Sequence, residues 1–281
     1  MSATKTKQIR TEGLDQFYTL PRIALQYIQQ TKVFYDLEDF FIIEPSAGNG
    51  SFFSQIPSTN KVGLDISPKH DGIMQQDFFQ YIPKTEDKIL VIGNPPFGRV
   101  SSLAVKFFNH ASTFADVIAF ILPRTFRRIS IQNRLDLSFH LVYDEDVPTS
   151  PCSFDPPMQA KCCFQIWEKK THCRSFIELP ITHKDWEFLP LGPPDANNQP
   201  TAPKDAHFAL RAYGGKCGEI KENNLDILRP KSWHWIRSKI RPQILINRFK
   251  ELDYIVSIDT ARQNSIGRKE LVQLYSEKFP F

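Results

Sequence analysis

Residues 42–53, IIEPSAGNGSFF, run from an apolar stretch through an acidic residue into a loop holding Gly48 and Gly50. Taken from Phe40, FFIIEP reads as a short buried strand that stops at a turn, and the pattern predicts a helix starting near Ser51. Working outward, PRIALQYIQQT (21–31) has apolar residues at helical spacing behind an N-terminal proline. KVGLDIS, KILVIGNPP and DVIAFILP read as further apolar strands, and residues 101–115 as another helix. KCCFQIWEKK (161–170) reads as a later strand of the same type. Continuous apolar strands separated by helices indicate a parallel sheet covered on both faces, hence an α/β fold.

The 281 residues, 41% of them hydrophobic, suffice for one large domain or for a domain with a smaller companion. No apolar run approaches the roughly 20 residues that span a bilayer. MSATKTKQIRTEG at the start has no apolar segment of the secretory kind. The expectation is a protein without a membrane, inside the cell, with cytoplasm and nucleus both open. Five cysteines, without a C-x-x-C pair, read as reduced and mostly buried thiols, with Cys162 and Cys163 on two faces of one strand and no metal site.

The net charge of +4 is unevenly placed. Residues 204–281 hold 15 Lys and Arg against 9 Asp and Glu. Within them RPKSWHWIRSKIRPQILINRFK (229–250) has seven basic residues, no acidic one, and the pair Trp233 and Trp235. Basic residues interleaved with aromatics suit a phosphate backbone with stackable bases; a solvated helix face is the alternative. Before this segment, FLPLGPPDANNQPTAPKD (188–205) is rich in Pro, Asn and Asp and reads as a linker or long loop. The division expected is 1–187, a linker at 188–206, and a basic segment at 207–281.

Three features point to a ligand. The glycine loop lets backbone approach a ligand closely. Asp65, at the tip of GLDIS, stands where a carboxylate can accept from both hydroxyls of a ribose. Asp77 and Phe78, in QQDFFQ at the end of another strand, stand where an adenine amino group and ring could be met. Each is ordinary alone; in this order and at βαβ spacing they describe a ligand with an adenosine part. VIGNPPFG (91–98) adds a strand that must stop at Pro95 and Pro96, which have no amide hydrogens for a sheet.

The succession DQFYT (15–19), EPSAGNG, GLDIS, QDFF, NPPF resembles the amino-methyltransferases that use S-adenosylmethionine, in particular the adenine-N6 methyltransferases whose NPPF or NPPY motif lies C-terminal to the cofactor motif. The resemblance covers roughly residues 14–170. It implies a Rossmann-like class I methyltransferase fold with a mostly parallel sheet and a small C-terminal target-recognition segment. By it, Tyr18 and Thr19 would meet the amino-acid end of the cofactor, Glu44, Pro45, Ala47 and Gly48 its loop, Asp65 the ribose, and Asp77 with Phe78 the adenine. The loop begins with Glu rather than Asp and is less glycine-rich than the fuller family string, a variant of this branch.

A base amino group is a poor nucleophile because its lone pair is delocalised into the ring. The Asn94 side-chain carbonyl and the Pro95 main-chain carbonyl could each take one amino hydrogen and turn the lone pair toward the methyl, with Pro96 stiffening the pair. Phe97 would stack on a base extruded from its helix. The resemblance also implies phosphate contacts for Arg124, Arg127 and Arg128, and a second aromatic wall, for which Phe154 in SPCSFDPP is chosen; a plug in a Pro-rich loop is its alternative. Lys216 beside Gly214 and Gly215, with Arg237, Lys239 and Arg241, would hold the polymer. The reading is therefore N6 methylation of adenine in DNA or RNA, with S-adenosylmethionine as cofactor and room for a partner subunit. A protein glutamine amide poses the same planar-amide problem and is the rival substrate, although those enzymes place a helical domain before the cofactor motif, and little precedes it here. A non-catalytic nucleic-acid-binding subunit is the second rival.

Overall fold

Why the apolar runs form a sheet is visible in their burial: Phe40–Glu44 (β2), Lys88–Gly93 (β5) and Val117–Pro123 (β6) are almost wholly inaccessible on both faces, as strands covered by helices must be. The computed structural model describes residues 17–280, so Asp15 of DQFYT and the segment MSATKTKQIRTEG lie outside the described residues. The chain forms two compact units, one of residues 17–123 and 134–174, the other of 124–133 and 175–280.

Unit 1 is built on a seven-stranded sheet, which adds Lys61–Asp65 (β3), Ile73–Gln75 (β4), Phe139–Asp146 (β7) and Cys162–Lys169 (β9) to those three. The strand order is β4-β3-β2-β5-β6-β9-β7. The first five strands pair parallel, and β9 pairs antiparallel with both β6 and β7. This is the mostly parallel, Rossmann-like sheet expected from the sequence. Two details differ. β9 was grouped with the parallel strands, yet it runs antiparallel; an apolar run states burial and not direction. The short β4 is the strand expected before Asp77, whereas the alternating, half-exposed β7 is not among the apolar runs.

Pro21–Lys32 (α1) starts at its proline and buries Ile23, Ala24, Tyr27, Ile28 and Thr31, one face of a helix. Its Tyr27 ring stacks on Phe164 of β9 at 4.2 Å between centroids. Ser102–Ala111 (α2) packs Phe108 edge-on to Phe139 and Trp167. Tyr18–Thr19 (β1) pairs with Phe154–Asp155 (β8) beside the same core. No α-helix follows the glycine loop: only the single turn Phe53–Gln55 forms. Pro57 accounts for this, because the residue before a proline is pushed out of the helical region, and Ile56 is extended. Cys162 and Cys163 are buried on β9, but Cys152 and Cys217 are only half-buried and Cys173 is exposed; none of the five is in a disulfide.

Unit 2 carries Ile129–Gln132 (α3) and an antiparallel sheet of Trp186–Phe188 (β10), Phe208–Arg211 (β13), Ile220–Lys221 (β14) and Trp233–Ser238 (β15), in the order β10-β15-β13-β14. Gly192–Pro194 (β11) and Pro200–Thr201 (β12) pair within the stretch read as a linker. Strand alternation sends Ile236, Phe208 and Leu210 to one face, against Pro242–Lys250 (α4) and Arg268–Lys278 (α5), and Trp233, Trp235 and Ala209 to the other. No helix of the described residues is long and apolar enough to cross a membrane.

Candidate active site at the carboxyl ends of the strands

After β2 the chain moves outward through β3 and β4; with β5 it returns to the other side of β2 and continues to β6. The switch point therefore lies between β2 and β5, where open α/β sheets bind ligands outside the carboxyl ends of their strands. β2 ends in Glu44, β3 in Asp65, and β5 in Gly93 with Asn94 behind it. These three neighbouring ends build one rim.

A web of hydrogen bonds holds that rim. Ser46 Oγ donates to the main-chain oxygen of Asn94 (3.1 Å), tying the glycine loop to the Asn-Pro-Pro turn. The Asn94 amide nitrogen donates to Phe17 O (3.1 Å). Its side-chain oxygen, Oδ1, is buried and accepts no hydrogen bond from protein. With the donor end of the amide anchored, the acceptor end is held in place and unused. Phe97, half-buried against the core, accepts the amides of Leu103 and Ala104 at its main-chain oxygen, which anchors the turn to the start of α2.

Around the glycine loop, Asp65 Oδ2 accepts the amide of Gly48 (2.8 Å) and Oδ1 that of Ser67 (2.7 Å). Each carboxylate oxygen keeps a further lone pair, so Asp65 can both pin the loop and accept from a ligand. Gly48 has φ +50, and a Cβ there would fall 2.6 Å from Cε1 of Tyr18. The Tyr18 ring thus lies against the loop, and burial together with Asp65 raises its hydroxyl pKa. Glu44 is 3% exposed, and burial pushes its carboxyl well above the ordinary 4.5, against the lowering effect of the Phe53 amide. Glu44 Oε2 and, on β1, Thr19 Oγ1 are buried without a partner. Three unused polar atoms, Thr19 Oγ1, Glu44 Oε2 and Asn94 Oδ1, thus belong to the segments that bound the switch point. Buried polar groups are normally satisfied, so such atoms need a reason.

Other residues singled out from the sequence are placed differently. Asp77 is half-buried and caps the turn Phe78–Gln80 by accepting from Phe79 N (3.0 Å). Phe78 is 2% exposed and packs against Phe107, His110 and Phe114, so its ring has no open face for a base. Phe154, 4% exposed, sits opposite Thr19 in the β1–β8 pair with its ring in the core; the plug is what the structure contains.

In unit 2, Arg124 and Arg127 share the charge of Asp259 with Arg128, and Arg127 lies 3.5 Å from it. Arg128 itself donates to Asp259 O and Val256 O and pairs with Glu270 (3.2 Å), which makes it internal scaffolding. Arg237 and Lys239 both pair with Glu187 of β10, an acid that the local sequence of 229–250 does not contain. Trp235 is 1% exposed and its indole donates to Pro230 O, so alternation along β15 has turned the expected stacking aromatic into core. Lys216 and Arg241 are exposed and form no ion pair among the described residues. So do Arg229, Lys231 and Arg268, of which Arg268 was not singled out because it lies outside the basic run. Among the described residues no group of three or more His, Cys, Asp and Glu could hold a metal ion.

No family model and no curated protein matches the chain. Solved structures do match. The 23S rRNA methyltransferase ErmE is 13% identical, with 58% of this chain and 72% of that one covered and a TM-score of 0.42. Magnesium protoporphyrin IX methyltransferase of Synechocystis PCC 6803 is 11% identical, with 53% and 79% covered and a TM-score of 0.40. The type I restriction-modification methyltransferase subunit of Streptococcus thermophilus is 16% identical, with 57% and 46% covered and a TM-score of 0.39. Likeness this slight decides nothing about chemistry, which has to come from the side chains of the site.

Proposed function

We propose that the chain is an S-adenosylmethionine-dependent methyltransferase acting on the N6 amino group of adenine in DNA or RNA. The observation that carries the reading is Asn94: an amide anchored at its nitrogen, with a buried and unused carbonyl oxygen, at the switch point of a class I methyltransferase sheet. An acceptor held in that state suits an amino hydrogen that is to be oriented rather than removed. With Pro95 supplying a second acceptor, the two hydrogens of a planar amino group would be taken in its own plane, leaving the lone pair to emerge perpendicular to the ring. Pro96 limits the motion of that turn, and Phe97 is the ring beside which a target base would lie.

The same site fits the proposed cofactor. Thr19 Oγ1 and Glu44 Oε2 are unused and buried, as the ammonium and carboxylate end of a methionine would require. Gly48 leaves the loop open where a Cβ could not be placed, and Asp65 retains acceptor capacity for ribose hydroxyls. When bound, the cofactor supplies an electrophilic methyl group on a sulfonium. Asp77 is the residue left to meet an adenine amino group there.

A glutamine amide would use Asn94 and Pro95 in the same way. Nucleic acid is favoured by unit 2, where Lys216, Arg229, Lys231, Arg241 and Arg268 are exposed cations without ion pairs among the described residues. Asn94→Ala tests the reading. Transfer of methyl to an adenine-containing oligonucleotide should fall by roughly 10²-fold or more, the cost of removing one preorganised partner, while calorimetric affinity for S-adenosylmethionine stays close to wild type. Transfer retained within about tenfold of wild type, set against that expected loss, would remove Asn94 from the mechanism.

A further inference from the structure

Unit 2 contains a groove of about 390 Å³ between β15, the chain following β13 and the start of α5. That volume falls in the range of about 300–1,000 Å³ typical of small-ligand sites. Tyr213, Trp233, Leu191 and Ile266 give it flat and apolar walls, and Lys231 and Arg268 give it charge. No Asp or Glu lines it.

How the cations are held is informative. Arg268 lies over the ring of Phe188 at 5.0 Å and, nearby on the same sheet, Arg211 over Trp233 at 5.5 Å. An aromatic face positions the Arg268 guanidinium, and unlike a carboxylate it does not cancel the charge, whereas Arg211 also pairs with Glu219 (3.9 Å). The acids of the region are occupied away from Lys231 and Arg268: Glu187 with Arg237 and Lys239, Glu219 with Lys221 and Arg211, and Glu270 with Arg128 and the amide of Gly267. His234 donates through Nε2 to Ile266 O (2.8 Å), and burial beside Arg268 lowers its pKa, so it adds a polar but neutral wall. Tyr213 is 38% exposed, and its hydroxyl donates to Lys231 O, which fixes the ring beside the lysine. Gly215, two residues on, faces open space.

We propose that this groove binds one nucleotide of a single-stranded nucleic acid, other than the methylated one, with its base against Tyr213 and the edge of Trp233 and its phosphate between Lys231 and Arg268. The base must be unpaired, because a stacking platform reaches only a splayed base. The proposal rests on the nucleic-acid reading of the site in unit 1 and adds to it a place where substrate is held.

The test is fluorescence anisotropy of the full chain with labelled single-stranded DNA and RNA 12-mers across a salt series. Lys231→Gln with Arg268→Gln should reduce the log-log salt slope by about 0.7, the value for one phosphate contact on a single strand. Tyr213→Ala should weaken binding by at least about tenfold, and Tyr213→Phe, which keeps the ring, should not. Arg237→Gln with Lys239→Gln, a pair already occupied by Glu187, should leave the slope as in wild type. Wild-type binding with an unchanged slope in the Lys231 and Arg268 double variant and unweakened binding by Tyr213→Ala would overturn the groove alone. Wild-type protein that binds S-adenosylmethionine but neither polymer would overturn the nucleic-acid reading and the groove with it.

Discussion

Glu44 shows how one side chain can be placed against its own solvation. A carboxyl at the end of a buried strand loses water, and its pKa rises well above 4.5. Above pH 4.5 the unfolded chain has released this proton while the folded chain still holds it. The folded state therefore binds more protons, and the Glu44 contribution makes stability fall as pH rises from about 4.5 toward the folded pKa. Glu44→Gln cannot titrate and escapes that loss. The difference in melting temperature between Glu44→Gln and wild type should shift in favour of the variant between pH 4.5 and 7; a difference independent of pH would show that Glu44 is ionised in the fold. Asn94 stood out in the sequence because Asn-Pro-Pro-aromatic is a distinctive local run, and the acceptor role is the one proposed for it. Its anchor, Phe17 O, and its tie to Ser46 were not, since both depend on main chain distant in sequence.

At the scale of elements, hydrophobic runs located β2, β3, β5 and β6, and proline located the start of α1. The helix after the glycine loop failed at Ile56–Pro57, a local rule that the glycine pattern had overshadowed. The basic run 229–250 misled in a different way. Its charge is local information, but whether a charge is free depends on a neighbouring strand, and Glu187 is 50 residues from Arg237. Likewise Trp235 belongs to whichever face alternation gives it. Trp235→Ala should cost about 3–5 kcal/mol in chemical denaturation, the range for emptying a buried aromatic site. A loss under about 1 kcal/mol, small beside that range, would mean the ring is not core.

His183 links elements of unit 2. Its Nδ1 accepts the amide of Asp185 (3.1 Å) and its Nε2 lies 3.1 Å from Phe279 O, so the neutral ring donates at Nε2, and a proton on Nδ1 would break the first bond. Burial lowers its pKa below 6.5, outweighing Asp185, with Lys184 and Arg248 acting in the same direction as burial. As pH falls below 6.5 the unfolded chain takes up this proton first, so stability declines on the acid side. The fall in melting temperature from pH 7 to 5.5 should be shallower in His183→Gln than in wild type; equal slopes would exclude this histidine as the source.

The molecule as a whole folds as two compact units. The seven-stranded sheet places Glu44, Asp65 and Asn94 on adjacent carboxyl ends, which the order of motifs already implied. The second unit carries exposed cations, and its organisation was much less legible: of the aromatic and basic residues that composition placed together, Trp235 is core and Arg237 and Lys239 are paired with Glu187. The groove lined by Tyr213, Lys231 and Arg268 draws on three separate segments, a juxtaposition that no run of sequence announces. The central claim, methyl transfer to an adenine amino group, is tested most directly by incubating the full chain with tritiated S-adenosylmethionine and a panel of DNA, RNA and protein, then digesting the nucleic acid to nucleosides. The expected result is tritium in N6-methyladenine nucleoside, abolished by Asn94→Ala. Label recovered on another base, on glutamine in protein, or in no product would contradict it.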